Sequence, residues 1–193
     1  FTSDIVNRKG ILLKADQPYL NAVIEVSDHA KSFSQKRPPL PSSWNEIWYP
    51  DGETVIYHGE EFRCLKRGVE ENGNVWGQMV APGIGNLSGR RGAPGWIMPS
   101  ALLDSGFYGS GVMLWVKYQG VVAIPAGIDR VELGRQERPG EVCSVLFHDR
   151  GREGANALYD FTIFGDDGAV RCHVEGYRNV IVAEQSAESM RGA

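Results

Sequence analysis

One segment constrains the fold more than any other. Residues Ser100 to Tyr118 form a long apolar stretch in a chain otherwise written in strand and turn signals. Pro99 fits an early helical position and Gly120 a terminator, so the pattern predicts a helix over about 99–118. Leu102, Leu103, Phe107, Met113, Leu114, Trp115 and Val116 make it apolar on most sides. A helix of that kind is buried, and a sheet is expected to wrap it. Gly106, Gly109 and Gly111 would let the sheet approach the helix backbone closely. Each weakens the helix by roughly 1 kcal/mol relative to Ala, so packing must compensate.

The rest of the chain alternates between strand-like runs and turns. Val23 to Val26 reads as a strand, and Phe62 to Leu65 as a short one. Asn72-Gly73 is a strong hairpin signal, with Val75 to Ala81 as the return strand. Gly83 to Gly95 reads as a loop. After the helix, Val121 to Leu133 is a strand expected to bend at Pro125, followed by strands at Val142–Phe147 and Leu158–Phe164. Asp167-Gly168 marks a turn. From Ala169 to Glu175, Val170, Cys172 and Val174 should face one side and Arg171, His173 and Glu175 the other. Tyr177–Val182 is a further strand, and Gln185 onward a frayed tail. One buried helix among antiparallel strands is an α+β layout. Upstream, Lys36 to Ser43 carries three prolines and two serines and reads as an extended connector.

Composition narrows the classes of function. With 24 acidic against 20 basic residues and a pI near 5.6, nothing resembles a basic nucleic-acid-binding domain. No apolar run reaches the ~18–20 residues of a membrane helix, and a cytoplasmic location is expected. Cys64, Cys143 and Cys172 contain no C-x-x-C pair and read as buried thiols in a reducing compartment. His29, His58, His148 and His173 lack metal-ligand spacing, so no metal is expected. The chain opens on Phe1 without a signal-peptide pattern and reads as a piece of something longer.

Asp104 is the first candidate for chemistry. A carboxylate in an apolar helix is expensive to bury ionised, so a buried Asp104 becomes a neutral acid able to donate a proton. The alternative is an ordinary first-turn charge favoured by the helix dipole. Tyr108 shares its helix face and either orients the carboxyl group or a substrate hydroxyl, or packs in the core. His58, in Tyr57-His-Gly-Glu-Glu-Phe62, is a possible base or a surface turn histidine. The segment Gly83 to Gly92, with Arg90 and Arg91, lacks the Gly-Lys-Ser/Thr ending of a phosphate-binding loop.

Several of these segments occur in a familiar order. Tyr57-x-Gly59-x-x-Phe62-Arg-x-Leu65 resembles the opening strand written Y-G-P-x-F in the second hotdog fold of polyketide synthase dehydratase domains and related fatty-acid synthases. Val75 to Pro82 is similar to the next strand, and Ala101-Leu-Leu-Asp104 to the Leu-Leu-Asp motif at the start of the hotdog helix. Ile124-Pro125 and Asp166-Asp-Gly168 match later elements, so the resemblance covers residues 49–183. Pro99-Ser100 stands where the family has His-Pro, and Tyr108 where it has Gln or His. The family's H-x-x-x-G-x-x-x-x-P histidine motif is absent.

The resemblance implies a hotdog fold, an antiparallel sheet around a central helix, preceded by a remnant of another hotdog. The expected divisions are 1–35 for that remnant, 36–48 for the linker, 49–185 for the second hotdog and 186–193 for the tail. It implies elimination of water from a 3-hydroxyacyl thioester, with Asp104 as general acid and a histidine base from the missing first hotdog. This chain alone is then expected to be inactive. Tyr108, Tyr57, Phe107 and Pro125 would contact substrate, and Met113, Trp115 and Val121 would join Phe107 along an acyl tunnel or pack in the core. No cofactor is implied beyond the phosphopantetheine of an acyl carrier protein. That carrier protein and neighbouring synthase domains are the expected partners, with pairing of two copies through sheet edges possible. The competing readings are a non-catalytic acyl-binding or scaffolding hotdog, a hotdog thioesterase, or an unrelated β-rich binding module.

Overall fold

The helix forms where the sequence places it. The computed structural model describes residues 2–6, 9–18, 21–26, 28, 31–49, 58–83, 87, 98–118 and 120–184. Helix α1 spans Ser100–Lys117, with Pro99 just outside its first turn. Gly120 closes it in the left-handed region at φ 90°, its N–H donating to the Trp115 carbonyl at 3.1 Å.

A small hairpin, β1 (Thr2–Val6) and β2 (Leu12–Pro18), makes its own two-stranded sheet. The main sheet holds β3 (Asn45–Glu46), β4 (Leu65–Glu71), β5 (Asn74–Val80), β6 (Val121–Gly127), β7 (Arg130–Leu133), β8 (Val142–Glu153), β9 (Asn156–Phe164) and β10 (Val170–Glu184). Its order is β3-β4-β5-β8-β9-β10-β6, with β7 alongside β10, and every pairing is antiparallel. Asn72 and Gly73, at φ 53° and 74°, make the expected β4–β5 turn.

The sheet wraps α1, which touches β4, β5, β6, β9 and β10. Leu102 and Leu114 are fully enclosed among Leu65, Met79, Val145, Phe161, Ile163 and Val174. Each such side chain contributes about 1.5–3 kcal/mol of burial. A Cβ on Gly106 would stand 2.5 Å from the Phe161 ring, and one on Gly109 2.5 Å from Phe147. Those two glycines therefore admit the sheet's aromatic rings, whereas a Cβ on Gly111 would meet nothing within 4 Å. The helix is also less enclosed than its composition suggests, because Trp115 and Val116 near its end are exposed.

A second cluster lies on the sheet's other face. Trp76, Phe164 and Val170 are covered there by Phe33 and Trp44, which flank the proline-rich connector. Alternation along β5 sends Val75 and Met79 to the helix side and Trp76 to this one.

Four local expectations change. Val23 to Val26 lies outside any strand, and Val23, Ile24 and Val26 are exposed. Among the described residues no strand pairs with it. Phe62 ends a 3₁₀ turn, Glu60–Phe62, and the strand begins at Leu65. Val121 to Leu133 is two strands: Pro125 lies inside β6, which as an edge strand tolerates the missing N–H, and the pairing with β10 is irregular between Pro125 and Gly127. The break comes after Gly127, and β6 and β7 pair with different stretches of β10. Finally, an irregularity between Val170 and Cys172 resets the alternation of β10. Cys172 and Val174 face the helix, but Val170 joins the outer cluster. Arg171, expected outside, is buried against Glu141 at 2.6 Å.

Candidate active site

Asp104 lies in the second turn of α1, beyond the first-turn positions that the helix dipole favours. Its two oxygens meet different surroundings. Oδ2 is buried without a hydrogen bond, although the side chain as a whole is 38 % exposed, so the exposure lies on the rest of the group. Facing Oδ2 at 3.3 Å is Nε2 of His58, whose side chain is 8 % exposed. Burial raises the carboxyl pKa above its ordinary value, and His58 only partly opposes the shift.

The contact is long-range in sequence, and identifiable bonds hold it. His58 lies just before the 3₁₀ turn, and its carbonyl accepts from Arg63 Nε at 3.0 Å. Ser105, the residue after Asp104, donates its hydroxyl to the Phe62 carbonyl at 3.1 Å. The turn is thereby tied to the helix beside the carboxylate. Aromatic rings close the other sides. Tyr108 lies 4.6 Å from His58, edge to face, and stacks on Tyr49 at 4.5 Å.

The candidates named from sequence separate accordingly. Asp104 and Tyr108 come together, with His58 between helix and turn. The Tyr108 hydroxyl donates to the Trp48 carbonyl at 2.8 Å, so it is committed to the backbone and not to Asp104. Phe107 turns toward the sheet, stacked on Tyr177 at 4.4 Å and edge-on to Phe161. Pro125 is exposed on the edge strand, opposite Asn179. Met113 packs against the core and Val121 is buried in it, whereas Trp115 is half exposed. Tyr57, His29, Arg90 and Arg91 lie outside the described residues. His148 is exposed, and Nδ1 of His173 is bonded to Thr162 at 2.8 Å.

His58 is the residue whose place in the site sequence reasoning undervalued. The signal was in the spacing. In Y-G-P-x-F the aromatic residue stands four positions before Phe, and in this chain His58, not Tyr57, is four before Phe62.

The carboxylates Glu141, Asp166 and Asp167 also cluster, but Arg171 and Arg138 pair with them. The three cysteines are free and buried, with burial pushing the Cys64 thiol up to about 11 and Cys143 and Cys172 to about 12. Among the described residues no helix is long and apolar enough to cross a membrane.

A sheet wrapped around a central helix with a half-buried carboxyl group defines an α+β hotdog protein. Residues 28–189 match the model of the polyketide synthase dehydratase N-terminal domain, and the chain belongs to the polyketide synthase dehydratase family. That description names an N-terminal domain, whereas the order of motifs was expected to mark a second hotdog; membership of the family holds for either half. Among solved structures, the dehydratase domain of RzxB from Pseudomonas fluorescens is similar, with 18 % identity and a TM-score of 0.52 over 63 % of this chain and 42 % of that one. GphF Dehydratase 1 has 16 % identity and a TM-score of 0.50 over 72 % of this chain and 54 % of that one. At such identity the likeness is one of fold, and the chain spans roughly half of either structure's length. No curated protein matches the sequence.

Proposed function

We propose that this chain is part of a dehydratase that eliminates water from a 3-hydroxyacyl thioester carried on the phosphopantetheine of an acyl carrier protein. Asp104 is its general acid. The observation that supports this role is the division of its carboxyl group. One oxygen is sealed against His58, while the rest of the group is open to an incoming molecule. Burial also favours the protonated form that an acid must hold before reaction.

The reaction needs two groups. A base removes the proton alpha to the thioester carbonyl, and that electron pair becomes the new Cα–Cβ double bond. The Cβ–O bond breaks, and the departing hydroxyl takes the proton from Asp104 and leaves as water. The thioester carbonyl acidifies the alpha position. Without the acid, hydroxide would have to leave unprotonated. The base in this reading is a histidine from a preceding hotdog, and neighbouring synthase domains deliver the carrier protein.

The test is Asp104→Asn in the full-length protein, assayed on a 3-hydroxyacyl-pantetheine thioester with enoyl product as the readout. Loss of a general acid lowers turnover by about 10²–10⁴-fold. Unchanged dehydration would overturn the assignment and favour a scaffolding role. Release of free acid without enoyl product would instead indicate a thioesterase.

A further inference from the structure

A buried imidazole needs a reason. His58 is enclosed by the Tyr108 and Tyr49 rings, with centroids 4.6 and 5.8 Å away, and its Nδ1 has no hydrogen-bond partner among the described residues. A leucine or phenylalanine would fill that space without the desolvation cost of two ring nitrogens. The polar group that Nε2 meets is Oδ2 of Asp104, at 3.3 Å. Two further bonds hold the histidine segment in place: Arg63 Nε to the His58 carbonyl, and Ser105 Oγ to the Phe62 carbonyl. The fold thus fixes His58 against the inner oxygen of the carboxyl group and encloses it away from the outer one.

We propose that His58 is a positioning residue for dehydration: its Nε2–H holds Oδ2, so that Oδ1 is the oxygen that carries the proton to substrate. The inference rests on the dehydratase reading and deepens it, because it gives this hotdog a second working residue apart from the upstream base. At 3.3 Å the two atoms are within reach of a hydrogen bond that is not yet aligned. Catalytic contacts commonly tighten when substrate binds. When Asp104 has released its proton, the same N–H donates to the carboxylate left behind. Burial favours the protonated, neutral form of the Asp104 carboxyl group that the N–H then faces.

Other ionisable groups border the pair, first among them the Arg63 guanidinium, whose Nε bonds the His58 carbonyl and which lies over the Tyr49 ring. Asp104 also faces the Cys64 thiol from beside β4 and the Tyr177 phenol from β10. His58 faces the phenols of Tyr49 and Tyr108. Burial raises the pKa of all four.

The experiment compares His58→Phe and His58→Gln in the full-length protein, by turnover on the same thioester and by carbon NMR titration of the Asp104 carboxyl group. Phe keeps the ring packing and removes the nitrogen; Gln keeps an N–H donor. The expected result for His58→Phe is a turnover loss of about 100-fold with KM within about threefold, the cost of a misplaced catalytic group. His58→Gln should recover most of that loss, and both should move the Asp104 titration. Turnover unchanged in His58→Phe would overturn the proposal. So would an Asp104 titration identical in parent and variants, because the two groups would then be uncoupled. If both variants are inactive while that titration stays fixed, His58 acts on the substrate itself and the positioning role is wrong. The NMR arm needs no activity, so failure of the dehydratase reading would show separately, as Asp104→Asn without effect on turnover.

Discussion

The buried Oδ2 of Asp104 meets Nε2 of His58 at 3.3 Å, although one residue comes from the central helix and the other from just before a turn far upstream. The burial of this carboxyl group has an energetic consequence independent of catalysis. Because folding raises the Asp104 pKa, ionising this group costs stability: the folded protein gains relative stability below the ordinary aspartate pKa and loses it as pH rises through the raised value. Asp104→Asn removes the charge and nearly preserves the shape. The variant should melt at a higher temperature than the parent at neutral pH, and the difference should shrink as pH is lowered toward 4. Thermal denaturation across that range checks it. Equal melting temperatures at every pH would mean that Asp104 is better solvated than its inner oxygen indicates.

The three helix glycines should respond differently to the same substitution. Gly106→Ala and Gly109→Ala each place a methyl group against an aromatic ring, Phe161 or Phe147, that is itself held in the core. Overpacking of this kind costs about 1–3 kcal/mol, more than alanine's better helix propensity returns. Gly111→Ala enters open space at a helical position, so it should stabilise by up to about 1 kcal/mol. Urea denaturation of the three variants gives the signs directly.

Glu141 and Arg171 form a buried pair whose side chains are 0 % and 2 % exposed. Burial alone would raise the Glu141 pKa. The Arg171 bond at 2.6 Å and the backbone N–H groups of Arg138 and Asp166 together outweigh it and hold the carboxyl group below its ordinary value. Arg171→Met leaves a buried carboxylate without its cation, which costs about 3–5 kcal/mol. A lowered carboxylate gives stability that is present above its ordinary pKa and is lost as pH falls through the lowered one. Acid unfolding should therefore begin at higher pH in Arg171→Met than in the parent, measured by circular dichroism against pH.

Much of this architecture was legible in local pattern. The helix could be read from its apolar run and its Pro99 and Gly120 boundaries, and β9 and the β4–β5 hairpin from alternation and Asn72-Gly73. The C-terminal end of β8 could not, because His148 to Glu153 carries charged and polar side chains. Those residues are strand because Asn156 to Asp160, which include the buried Ala157 and Tyr159, pair with them. Arg171 escaped because its burial comes from Glu141 and Asp167, partners that give no signal in the strand itself. Asp104 was readable as a carboxyl group out of place in an apolar helix. Its companion was harder, since His58 sits among turn residues and only the four-residue spacing to Phe62 hints at its place.

Tyr108 offers the sharpest check on which side chains of this face belong to the chemistry. Its position four residues after Asp104 suggested a phenol directed at the carboxyl group or at a substrate hydroxyl. The hydroxyl instead donates to the Trp48 carbonyl at 2.8 Å, pinning the segment before His58 to the helix, while its ring packs between Tyr49 and His58. Tyr108→Phe keeps the ring and deletes one hydrogen bond, so it should cost about 0.5–1.5 kcal/mol of stability. Turnover on a 3-hydroxyacyl thioester should stay within about threefold of the parent, because the remaining aromatic stack still supports His58. Tyr108→Ala removes that support as well and should lower turnover along with stability. A Tyr108→Phe variant that is fully stable yet loses turnover as deeply as Asp104→Asn would instead place the phenol among the groups that touch the substrate.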